Sequence, residues 1–91
     1  MNKEKVTEYI AIRKEMKSFA IEVWDFVIEN FKYKLKFSHP EFDDFYINEN
    51  WFTIYYRDDT YYNGYETECI DIPIDIVYKG LWKGYLIKEF E

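Results

Sequence analysis

The chain has 91 residues, 48% of them hydrophobic and 23% aromatic, and a formal net charge of −6. That length is one domain, and a chain so rich in large apolar side chains is not disordered. A single cysteine, Cys69, excludes an intramolecular disulfide and fits a reducing, cytoplasmic setting. No apolar run reaches the roughly 18–20 residues of a membrane helix, and the charged start Met1-Asn2-Lys3-Glu4-Lys5 is not a signal peptide.

Residues 3–31 carry the clearest periodicity. Val6, Ile10, Arg13, Met16, Ala20, Val23, Val27 and Phe31 step at three and four, and Tyr9, Ile12, Phe19, Trp24, Phe26 and Ile28 widen the same face. With no Gly or Pro inside, the pattern predicts one long amphipathic helix, buried along a broad face and capped by Asn2. The period then becomes two. Lys32 to Phe37 alternates lysines with Tyr33, Leu35 and Phe37, which predicts a half-buried strand. Ser38-His39-Pro40-Glu41 has the spacing of a helical start.

From Phe42 the pattern is a β meander. Phe45-Tyr46-Ile47 is a short strand, Asn48-Glu49-Asn50 a turn, and Trp51 to Arg57 a strand of β-favouring residues. Asp58 to Gly64 is a loop carrying the turn dipeptide Asn63-Gly64. Tyr65 to Ile72 is the next strand, stopped by Pro73. After Pro73 one helical turn fits residues 74–78. Gly80 and Gly84 oppose a continuous helix over 74–90, and Tyr85 to Phe90 fits a strand or a final turn. The expected fold is therefore α+β, a long N-terminal helix on a three- to four-stranded antiparallel sheet with a short C-terminal turn or strand, forming a single domain over 1–91.

Charge is segregated. Residues 1–40 balance at +2, residues 41–78 at −9 and residues 79–91 at +1. Six of the ten tyrosines, Tyr46, Tyr55, Tyr56, Tyr61, Tyr62 and Tyr65, lie on the predicted strands and loops of the acidic segment. Tyrosine supplies contact area at low entropy cost, and carboxylates of one sign steer a basic partner. The interleaved stretch Asp58, Asp59, Tyr61, Tyr62, Tyr65, Glu66 and Glu68 is the candidate partner-binding surface. The same acidity opposes direct binding of nucleic acid. The competing reading is a solvated sheet face that maintains solubility and blocks edge pairing.

Motifs for catalysis are sparse. His39 is the single histidine, and with Cys69 it supplies only two soft metal ligands. Cys69, flanked by Glu68 and Ile70, has acidic surroundings that raise a thiol pKa, and it fits a small core or near-core residue. The pairs Asp43-Asp44 and Asp58-Asp59 lack calcium-loop spacing, and the three glycines make no phosphate-binding loop. No cofactor and no catalytic site are expected. Trp82, between Gly80 and Gly84, fits a residue that seals one end of the core, the alternative being an exposed interface anchor.

The helical N-terminus through Trp24-Asp25-Phe26, the acidic strands and the closing segment Ile70-Asp71-Ile72-Pro73-Ile74 give the chain its likeness. It resembles the small acidic α+β proteins encoded by phages and mobile elements of Gram-positive bacteria. Some of these are anti-defence inhibitors, including anti-CRISPR proteins, that present carboxylates to a basic nucleic-acid channel. The resemblance implies a non-enzymatic inhibitor that mimics nucleic acid on the basic surface of a nucleic-acid-binding nuclease. It transfers no functional residue. The alternative is a structural or self-associating domain, a monomer or homodimer, in which the wide helix face or a sheet edge forms the contact.

Overall fold

The computed structural model describes residues 3–58 and 66–91, the side chains of Val6 and Tyr9 excepted. It is an α+β fold, in which a long helix, α1 (Lys3–Phe31), packs on a three-stranded antiparallel sheet of order β1-β2-β3. The strands are β1 (Pro40–Ile47), β2 (Trp51–Asp58) and β3 (Thr67–Pro73), followed by α2 (Ile74–Tyr78) and α3 (Trp82–Phe90). The Asn2 cap, the Asn63-Gly64 turn and Tyr65 as a strand start lie outside the described residues.

The expected broad buried face of α1 is realised only in its C-terminal half. Ala20, Val23, Trp24 and Val27 are buried, and Met16, Phe19, Phe26, Ile28 and Phe31 pack around them. Toward the N-terminus the described side chains are exposed up to Glu15, with Ile10 at 48% and Ile12 at 56%. Length explains this. Twenty-nine helical residues span about 43 Å at 1.5 Å each. Strands of seven or eight residues extend only about 24–27 Å. The helix outruns the sheet, and its apolar stripe continues past anything it could cover.

The strand expected at Lys32–Phe37 does not form. Lys32–Lys34 winds one 3-10 turn straight off α1, and Leu35 is the first extended residue. An alternating sequence becomes a strand only beside a partner strand, and the ladder ends at β1 and β3. The alternation serves packing instead. Tyr33 is fully exposed, whereas Leu35 and Phe37 pack against the core, and Phe37 meets the Tyr56 ring edge-on at 5.7 Å. The helical start expected at Ser38–Glu41 is also absent, because Pro40 opens β1.

Parity fixes the sheet. On β2, Phe52, Ile54 and Tyr56 face α1 and pair with Ile72, Ile70 and Glu68 on β3, and with Ile47, Phe45 and Phe42 on β1. A bulge at Asp43 shifts the β1 register between Phe42 and Asp44. The carboxylate of Asp44 accepts the Phe45 N–H at 2.8 Å next to it. The β1–β2 turn is built by Asn48, whose Oδ1 accepts the N–H groups of Asn50 and Trp51, both at 2.8 Å.

The C-terminal segment is helical rather than strand. Pro73 ends β3 and α2 follows it, as the single turn read from the sequence requires. Gly80, at φ 72°, closes α2 in a Schellman motif, with Leu81 N–H donating to Ile76 C=O and Gly80 N–H to Val77 C=O, both at 3.1 Å. α3 then starts at Trp82 and includes Gly84. Trp82 is buried, edge-on to Phe19 at 5.7 Å and to Phe26 at 5.4 Å, so it seals the core between α1 and α3.

Candidate functional site

All three helices contribute to the core on one side of the sheet. Among the described residues no element packs across the other side, although Tyr85 and Glu89 of α3 share a hollow with Cys69 and Asp71 at the β3 edge. That open face takes the odd positions of β2 and their partners. Tyr46, Thr53 and Asp71 form one row across the three strands, Asp44, Tyr55 and Cys69 the next, and Glu41, Arg57 and Thr67 the third. Trp51 opposite Pro73 extends the lattice. Tyr46 is 56% exposed, Trp51 42% and Tyr55 36%.

These aromatic side chains stand among carboxylates with differing partners. Glu41 lies 3.8 Å from Arg57, and Asp44 lies 3.9 Å from Arg13. The Arg13 guanidinium also sits over the Phe45 ring at 4.5 Å. Among the described residues no cation lies within 4 Å of Asp71. Its Oδ1 accepts the Thr53 hydroxyl at 2.6 Å, and Thr53 is only 6% exposed although it belongs to the open face. A small, shielded side chain in the centre of the lattice thus fixes the carboxylate.

Four of the candidate partner-binding residues, Asp59, Tyr61, Tyr62 and Tyr65, lie outside the described residues. Of the remaining three, Glu66 and Glu68 are joined by Lys36, whose Nζ is 3.1 Å from Glu66 and 2.9 Å from Glu68. The hydrogen bonds to Glu68 and then to Glu66 raise the Lys36 pKa. Asp58 ends β2 opposite Pro40. Glu68 pairs with Tyr56 and Asp58 with Pro40, so both belong to the α1 side of the lattice. The acidity of 41–78 therefore divides, with Glu41, Asp44 and Asp71 on the open face and Glu66 and Glu68 held by a lysine at one end of the sheet.

Sequence reasoning missed Tyr46, Trp51, Tyr55 and Asp71. The parity of Trp51-Thr53-Tyr55 against Phe52-Ile54-Tyr56 carried the signal.

Cys69 corrects the core assignment. It is exposed in the open lattice, because Ile70 and Ile72 take the inward positions of β3. Its thiol pKa is raised, by burial first and then by Asp71 and Glu68, so the geometry does not activate a nucleophile. Among the described residues no three His, Cys, Asp or Glu side chains are grouped to hold a metal ion, and no helix is long and apolar enough to cross a membrane.

Comparison with protein-family models, curated proteins and solved structures finds no match to this chain.

Proposed function

We propose that the protein is a non-enzymatic binding module that lays its open sheet face on a basic surface of a partner protein. The observation that carries this reading is the uncovered lattice in which Tyr46, Trp51 and Tyr55 alternate with Glu41, Asp44 and Asp71. An open sheet face made only for solubility needs charge, not three large exposed rings, and aromatic side chains are enriched where proteins meet. In its finer form the reading is an inhibitor of the anti-CRISPR kind, whose carboxylates stand in for the phosphates that a nucleic-acid-handling partner binds. The −9 balance of residues 41–78 supports that form.

The test is capture from a bacterial lysate at low and high salt, with and without excess DNA, comparing wild type with a Glu41→Lys/Asp71→Lys variant. Captured proteins are identified by mass spectrometry. The expected result is nucleic-acid-binding proteins held at low salt and released by high salt, by DNA and by the variant. Identical capture by wild type and variant under every condition refutes the reading.

One observation favours a second reading, self-association. The exposed part of α1, residues 3–15, carries Lys3, Lys5, Arg13 and Lys14 against Glu4, Glu8 and Glu15, with Ile10 and Ile12 among them. This nearly neutral segment is where two copies of an acidic protein repel least. Sedimentation at high concentration decides it, since a clean monomer removes that reading.

A further inference from the structure

Resting on the reading of the open sheet face as the partner surface, we infer that Asp71 and its flanking rings form a socket selective for arginine, so that the partner's basic surface is read through guanidinium groups rather than through charge alone. Asp71 occupies the β3 position opposite Thr53, and Trp51 and Tyr55 are the next open-face residues along β2 on either side of Thr53. Cross-strand diagonals of this kind place side chains about 7–8 Å apart, within reach of aromatic rings. A planar group approaching the exposed Asp71 therefore meets a carboxylate in a row that the register flanks with Trp51 and Tyr55.

The carboxylate is prepared for this. The Thr53 hydroxyl donates to Oδ1 at 2.6 Å and the Cys69 thiol, a weak donor, to Oδ2 at 4.0 Å, and a carboxylate has about four acceptor positions, so one lone pair on each oxygen stays available. Glu41 and Asp44 already lie beside arginines of this chain, which leaves Asp71 as the open-face strand carboxylate without a cation among the described residues.

The chain also shows how its own surface takes a guanidinium. Arg13 is held by a ring and a carboxylate together, 4.5 Å above Phe45 and 3.9 Å from Asp44. Asp71 between Trp51 and Tyr55 offers the same two elements with no arginine supplied. Arginine fits them better than lysine does, because its planar fork pairs with both oxygens of a carboxylate and stacks on a ring. An ammonium is a compact, strongly hydrated point charge.

The experiment measures binding of fluorescent octa-arginine and octa-lysine to the full chain at low ionic strength, by anisotropy. Wild type, Asp71→Asn, Thr53→Val and a far-side control, Glu22→Gln on α1, are compared after circular dichroism confirms their fold. The expected result is an affinity about tenfold higher for octa-arginine. Asp71→Asn should abolish that preference, Thr53→Val should reduce it, and Glu22→Gln should leave it unchanged. Equal affinity of wild type for the two peptides overturns the arginine socket while leaving an acidic binding face. Retention of the preference in Asp71→Asn overturns its placement. Failure to bind either peptide overturns the socket and the binding-face reading together.

Discussion

Replacing Gly84 by alanine and Gly80 by alanine should move stability in opposite directions, and the pair tests the C-terminal architecture directly. Gly84 lies in the first turn of α3, and a Cβ built there meets no atom within 4 Å. Glycine is worse than alanine in a helix by about 0.8–1 kcal/mol. Near the helix start that gain should be partial, and about 0.5–1 kcal/mol of stabilisation is expected. For a domain of this size this raises Tm by about 2–8 °C. Gly80 also has open space around it, but its φ is 72°. A left-handed L-residue costs about 1–2 kcal/mol, and a less flexible unfolded chain returns about 0.4–1 kcal/mol. The net is a loss of about 1 kcal/mol. Urea titration of both variants beside wild type, at unchanged m-value, reads the two signs. Destabilisation by Gly84→Ala would refute a helix through that position, as in a C-terminal strand. A neutral or stabilising Gly80→Ala would refute the left-handed cap.

Two further outcomes follow from titrating groups near the sheet. Burial raises the pKa of the Tyr56 phenol above its ordinary value near 10, against a backbone hydrogen bond from Lys36 that lowers it. The unfolded chain therefore releases this proton first, so the Tyr56 contribution is complete below about pH 10 and is lost as pH rises through the folded-state pKa. Denaturation curves across pH 8.5–11.5 should show alkaline loss of stability that is shallower in Tyr56→Phe, and identical slopes would refute the assignment. Cys69 is exposed yet its thiol pKa is raised by burial, Asp71 and Glu68. Alkylation by iodoacetamide at pH 8 should run slower than for free cysteine and accelerate in Asp71→Asn, whereas a rate equal to that of free cysteine contradicts the geometry.

Much of the fold was legible because local chemistry and tertiary structure agree. The α1 periodicity, the Asn48 turn, the stop at Pro73 and the break at Gly80 each follow from one residue's backbone preference or one repeat. The misreadings share a cause, which is that pattern records which side of an element is apolar but not what lies opposite. Lys32–Phe37 alternates like a strand and has no strand beside it. Ile10 and Ile12 extend an apolar face beyond the reach of the sheet. At the site, tyrosine density pointed to 58–68, whereas the open face is assembled from β1, β2 and β3 together. Tyr55 and Tyr56 are chemically identical neighbours, and only the sheet decides that one is buried against Trp24 and the other faces solvent.

The overhang of α1 grades the helix internally. From Lys3 to Glu15 its backbone hydrogen bonds belong to a single helix with solvent around its described side chains. From Met16 onward the same ladder is welded to the sheet. Opening the first part loses the Arg13 contacts with Phe45 and Asp44 but none between buried apolar side chains of the described residues, whereas opening the second part requires the whole domain to unfold. Amide hydrogen exchange along this one uninterrupted element should therefore slow by orders of magnitude around residue 16. The same boundary marks where the helix can be shortened, extended or fused to another chain while the aromatic core keeps its packing.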